Sequence, residues 1–164
     1  MGMKFFLTTI TFCLILSCDK KSGQDLTPGV NSVSIDVGGL KRKFLVQLPD
    51  VTGDTPAPVV FAFHGGQGTN SIYPDALGGL INDRHWIGVY PQGINGFWNS
   101  DIGTSTANDT GFVREIVRWL DKHTSINHQR IYALGFSNGA ILCHKMVRES
   151  DVFASFSLVS SNFF

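Results

Sequence analysis

Hydrophobic and polar residues alternate strictly at the start of the chain's ordered part. Val33, Ile35 and Val37 fall on one face, Gly38-Gly39 breaks the run, and Phe44, Val46 and Leu48 resume it. That period of two around a Gly-Gly turn predicts a β-hairpin. Pro49 to Pro58 reads as a loop. Val59 to Phe63 is apolar at every position, as expected for a central strand of a parallel sheet covered on both faces. Ser71 to His85 reads as mostly helical, interrupted by Gly78-Gly79, and Trp86 to Tyr90 as the next strand. Ile94 to Ala107 is a long loop. Phe112, Val113, Ile116, Val117, Trp119 and Leu120 then recur at helical spacing, with Asn108 or Asp109 as N-cap. Asp109 is read as a cap rather than a catalytic carboxylate. Thr124 to Gln129 is a polar connector into a short strand, Arg130 to Leu134. A helix from Ala140 to Glu149 and a strand from Ala154 to Ser160 follow.

Chemistry enters at Gly135-Phe136-Ser137-Asn138-Gly139, a G-x-S-x-G pattern between a predicted strand and a predicted helix. In that context it is a nucleophile elbow. The serine sits on a sharp turn at a helix N-terminus, and the glycines allow strand and helix to approach. Ser137 is the candidate nucleophile. Upstream, Val59 to Phe63 ends on His64-Gly65-Gly66-Gln67-Gly68. A glycine-rich loop there lets the N–H of Gly66 converge with that of Asn138 into an oxyanion hole. Phe97 and Trp98, in a loop at the carboxyl ends of the strands, are candidates for lining a substrate pocket.

The chain of 164 residues is 43% hydrophobic and 16% charged, with formal net charge zero. This is an ordinary globular composition, and no basic surplus argues for nucleic acid or an anionic membrane surface. Lys4 and the apolar run Phe5 to Leu16, which is short for a membrane span, read as a signal peptide over residues 1–17. The run closes on Ile15-Leu16-Ser17-Cys18, which resembles a bacterial lipobox and implies lipidation at Cys18. A plain secretory signal or an uncleaved anchor is the alternative, and each places the protein outside the cytoplasm. Residues 18–31 then form a tether, and 32–164 the domain. Once the signal is removed and Cys18 lipidated, Cys143 is left without a disulfide partner. Its place in the helix after the elbow suits a small buried apolar residue.

Strand, helix, strand, helix, strand around one elbow is an α/β-hydrolase pattern. His64-Gly65-Gly66, Tyr90-Pro91-Gln92-Gly93, Trp98-Asn99, Asn108-Asp109-Thr110-Gly111-Phe112, Arg130-Ile131-Tyr132 and Gly135-Phe136-Ser137-Asn138-Gly139 resemble the polyhydroxybutyrate-depolymerase-like secreted esterases, which include feruloyl and acetylxylan esterases. The resemblance runs from about Val59 onward. It implies a Ser137 acyl-enzyme, oxyanion donors at Gly66 and Asn138, a structural role for His64, and no metal or organic cofactor. The implied substrates are polyester oligomers or acylated polysaccharide.

One departure stands out. α/β-Hydrolases carry their acid and histidine after the serine, in that order. Between Ser137 and Phe164 there is no counterpart. His144 lies about two helical turns down a helix leading away from the serine, roughly 10 Å off at 1.5 Å per residue. Asp151 is at the far end of that helix, and His85, His123 and His128 read as surface connectors. The expectation is therefore the N-terminal part of an α/β-hydrolase, with the last strands missing, inactive as given. Residues Ala154 to Ser160 would form an exposed apolar edge. Two alternatives stay open: a non-catalytic lipoprotein, and a secreted serine peptidase of the prolyl-oligopeptidase type.

Overall fold

The computed structural model describes residues 25–53, 55–100 and 105–160. The expected lipidation site Cys18 and the signal segment lie outside them. Six strands form one mixed sheet in the order β1-β2-β4-β3-β5-β6. Strands β1 (Gly29–Val37) and β2 (Leu40–Leu48) make the antiparallel hairpin, and β2 pairs antiparallel with β4 (Ile87–Pro91). From β4 onward the sheet is parallel, through β3 (Ala57–Phe63), β5 (Ile126–Phe136) and β6 (Ser155–Val159). Helices α1 (Tyr73–Arg84), α2 (Asp109–His123) and α3 (Asn138–Glu149) are the crossovers after β3, β4 and β5. Parallel neighbours require such long connections, and the helices cover both faces of the sheet.

The alternation seen in the sequence decides which residue meets which layer. Val59, Phe61 and Phe63 of β3 pack with Phe112, Val113, Ile116, Val117 and Leu120 of α2 and with Leu142, Cys143 and Met146 of α3. Ala62 faces the other way, toward Tyr73 of α1 and Tyr90 of β4. Each large apolar side chain withdrawn from water in this way contributes about 1.5–3 kcal/mol. Beyond α1 on that second face, Val60, Leu77, Leu80, Trp86, Tyr132 and Leu134 line an open apolar groove of about 310 Å³.

Several expected boundaries shift. The segment read as the end of the tether is ordered: Asn31 reaches back to the carbonyls of Thr27 (2.7 Å) and Gly29 (3.1 Å), and β1 begins at Gly29. The Gly78-Gly79 pair does not interrupt α1, which runs unbroken behind a short 3-10 turn at Asn70–Ile72. The polar connector before the elbow strand is itself strand. Ile126 pairs with Ala57 and Ile131 with Val59, so the strand is anchored on both sides of the polar residues Asn127 to Arg130, which form an irregularity in the register. Among the described residues, β6 is an edge strand of the sheet. Its outward positions Ser155, Ser157 and Val159 are exposed while Phe156 and Leu158 turn to the core, so only Val159 gives that side apolar character. Among the described residues, no helix is long and apolar enough to cross a membrane.

Candidate active site

The elbow has the backbone its sequence demands. Ser137 takes φ 50° and ψ −116°, a conformation costly for a residue with a side chain, between the last residue of β5 and the first of α3. The turn is held from below by the Ser137 N–H, which donates to the Val159 carbonyl of β6 at 2.9 Å. The flanking glycines are there for space. A Cβ on Gly135 would lie 2.6 Å from the Gly139 carbonyl oxygen and 2.7 Å from Ala140 Cα. One on Gly139 would lie 2.7 Å from the His64 carbonyl oxygen at the end of β3. Strand, helix and neighbouring strand meet backbone to backbone at this point.

The glycine-rich loop after β3 lies against the elbow. A side chain on Gly65 would meet the Phe136 ring at 3.0 Å and Ser137 Cβ at 3.4 Å, and one on Gly66 would meet the Phe97 ring at 3.1 Å and Asn138 Cβ at 3.8 Å. As the first residue of α3, Asn138 has no intrahelical acceptor for its N–H, and the positive end of the helix dipole lies there. The Gly66 N–H has no acceptor among the described residues. The two expected oxyanion donors and Ser137 are thus brought together.

His64 is a strut in this arrangement. Its Nε2 accepts from the Gly93 N–H at 3.0 Å, which leaves Nδ1 to carry the proton and donate to the Gly65 carbonyl at 2.8 Å. The ring lies 4.8 Å from that of Trp98, and Gln92 Nε2 adds a second contact to Nε2 at 3.0 Å. Burial lowers its pKa from the ordinary 6.5, outweighing the opposing effects of the Gly65 hydrogen bond and the Asp109 charge. With both ring nitrogens engaged, His64 is no general base.

Two sequence expectations need correction. Trp98 does not line a pocket. It is fully buried, stacks edge-on against Phe63 and donates its indole N–H to the His64 carbonyl at 2.8 Å. Burying so large a ring requires a partner for its N–H, and the end of β3 supplies it. Phe97 stays half-buried beside Gly66, at the surface where a pocket wall belongs. Asp109 is not the cap of α2. Asn108 is, accepting from the Gly111 N–H at 2.8 Å. The Asp109 carboxylate is buried, paired with Arg42 Nη2 at 2.6 Å, and accepts the Asn99 N–H at 2.7 Å. Arg42 in turn lies 4.0 Å over the Phe112 ring.

Two features went unread in the sequence. Phe136, half-exposed, presents its ring to Gly65 beside Ser137. The Asn138 side chain is buried, accepting from the Trp98 N–H and donating to Ser100 Oγ, both at 2.8 Å. An asparagine after an elbow serine signals nothing about these partners, which lie some forty residues upstream. The ring nitrogens of His64, His85, His123 and His128 bond to groups other than the Ser137 hydroxyl, and no group of three or more metal-ligating side chains occurs among the described residues.

No family model matches the chain. It is similar to feruloyl esterase B of Piromyces equi, with 28% identity over 106 residues, which is 60% of this chain and 20% of that protein. The chain therefore spans about a fifth of that relative's length. Among solved structures it resembles the acetyl xylan esterase of Aspergillus awamori, with TM-score 0.65 and 18% identity over 80% of this chain and 53% of that one. A substrate-bound, fluorophosphonate-binding serine hydrolase of Staphylococcus aureus gives TM-score 0.64 and 16% identity, over 80% and 58%. The 2,6-dihydroxy-pseudo-oxynicotine hydrolase gives 0.63 and 21%, over 78% and 36%. The fold is that of the α/β-hydrolases, represented here by its hairpin and the strands up to the one after the elbow.

Proposed function

We propose that this chain carries the nucleophile half of a serine carboxylic-ester hydrolase. The observation that carries the reading is Ser137 held at positive φ on a glycine-flanked elbow, with the N–H groups of Asn138 and Gly66 beside it. Ser137 Oγ would attack the ester carbonyl, the tetrahedral oxyanion would take hydrogen bonds from those two N–H groups, and its collapse would break the bond to the alcohol, which departs with the proton given up by Ser137 and leaves an acyl-serine for water to hydrolyse. The half-exposed rings of Phe97 and Phe136 flank the glycine loop. They suit an apolar, flat-sided acyl group, in keeping with acyl esters of polysaccharide or short polyesters as substrates. Deprotonating Ser137 requires a base, and none of the described side chains is in hydrogen-bond contact with it. A serine hydrolase deprived of its base loses on the order of 10⁶ in kcat.

The experiment is fluorophosphonate labelling of the full chain, with p-nitrophenyl ester turnover in parallel. Labelling and turnover abolished by Ser137→Ala would support the reading. Hydrolysis surviving that substitution would remove Ser137 from the role.

Among the described residues no side chain is recorded bonding the Ser137 hydroxyl, which favours a second reading, a binding protein that retains the elbow without chemistry. Saturable binding of an aryl ester that is recovered unchanged would favour it. Attachment to a membrane through a lipidated Cys18 remains part of the proposal, and loss of a lipid-sized mass in Cys18→Ala tests it.

A further inference from the structure

The N–H groups of two consecutive residues in the loop between β4 and α2 are each taken by a buried side chain from the first residue of a different helix. Trp98 N–H donates to Asn138 Oδ1 of α3 at 2.8 Å, and Asn99 N–H donates to Asp109 Oδ2 of α2 at 2.7 Å. The next residue, Ser100, accepts from Asn138 Nδ2 at 2.8 Å. Loop backbone is ordinarily left to water, so side chains spent on it mark a segment whose position matters. The residue just before this strap is Phe97, whose ring closes over Gly66.

We propose that Asn138 is a positioning residue acting through its side chain as well as its backbone. Its amide makes the Phe97 wall and the oxyanion donor one rigid unit, and Asp109, neutralised by Arg42, holds the same strap from the α2 side. The N–H of residue 138 and the wall ring then keep a fixed separation whichever acyl group enters. A site needs its groups held to within about 0.5 Å to bind a transition state selectively. Neither the elbow pattern nor the oxyanion role asks for an amide here, since the N–H that binds the oxyanion belongs to the backbone of any residue. The strap stands on geometry alone; its catalytic consequence rests on the ester-hydrolase reading.

The test is residue-resolved amide hydrogen exchange on the full chain, together with fluorophosphonate labelling of Ser137. In Asn138→Ala the Trp98 amide should exchange at least about tenfold faster, the consequence of a lost buried acceptor, while amides of β3 such as Phe61 stay unchanged. Asn138→Asp keeps an acceptor for Trp98 N–H, and the Ser100 hydroxyl can turn to donate. Exchange at Trp98 should therefore stay within about threefold of the parent, whereas Asn138→Ala, which releases the strap but keeps the N–H of residue 138, should slow labelling at least about tenfold. Ser100→Ala, the milder change should Asn138→Ala fail to fold, should give a smaller acceleration confined to Trp98 and its neighbours. An unchanged Trp98 amide in Asn138→Ala or Ser100→Ala would overturn the strap. Equal labelling in the parent and in Asn138→Ala would overturn the link to the oxyanion. A parent chain that does not label at all would count against the ester-hydrolase reading and the catalytic link while leaving the exchange result to judge the strap.

Discussion

Replacing Gly139 with alanine should destabilise the domain even though it improves the helix. Gly139 is the second residue of α3, where alanine is favoured over glycine by about 0.5–1 kcal/mol. Its Cβ, however, would stand 2.7 Å from the His64 carbonyl oxygen and 2.7 Å from the Phe63 carbonyl carbon. These are backbone atoms at the end of β3, a strand paired on both sides with β4 and β5, so no rotamer change can clear them. Strand or helix must move, and such overpacking costs about 1–3 kcal/mol. The net expectation is a loss of about 0.5–2 kcal/mol once the helix gain is subtracted. With a urea m-value of about 1–3 kcal/mol/M, the midpoint should fall by roughly 0.2–2 M. Gly79 is the control. It lies in α1 with nothing within 4 Å of its Cβ position, so Gly79→Ala should raise the midpoint by a few tenths of a molar. Urea titrations of the three proteins decide the matter. If Gly139→Ala proved as stable as the parent at an unchanged m-value, the close approach of α3 to β3 would be wrong, and the elbow geometry with it.

Ser137→Gly should stabilise the chain by about 1–2 kcal/mol in the same titration, because glycine takes φ 50°, ψ −116° without strain, while removing any phosphonate labelling. Asp109→Asn should cost about 3–5 kcal/mol, since Arg42 would be left buried without its counter-charge. Arg42→Met combined with it should recover much of that loss in thermal melts. The lowered pKa of His64 predicts a pH dependence of stability. The folded protein binds fewer protons at this group than the unfolded chain, so its contribution is complete above about pH 6.5 and is lost as pH falls through the lowered folded value. Comparing the parent with His64→Gln between pH 8 and 5 isolates that part of the slope, and identical slopes would refute the assignment.

The sequence by itself determined the elements carried by local rules. Alternation over Val33 to Leu48, the solid apolar run Val59 to Phe63 and the α2 stripe from Phe112 to Leu120 each depend on neighbours a few residues away, and all appear where the pattern puts them. Gly135-Phe136-Ser137-Asn138-Gly139 was legible for the same reason, because a strand–turn–helix with glycine at the close approaches is written in one short stretch. The tertiary structure decided what depends on distant partners. Trp98 looked available to a ligand until the end of β3 claimed its indole N–H, and Asp109 looked like a cap until Arg42 of the hairpin met it. The Asn138 amide had no visible task until Trp98 and Ser100 were folded onto it. A buried polar group must find a partner, but its side-chain type states only that it can donate or accept. Which partner it meets is fixed by the order of strands in the sheet, and that order is a property of the whole chain.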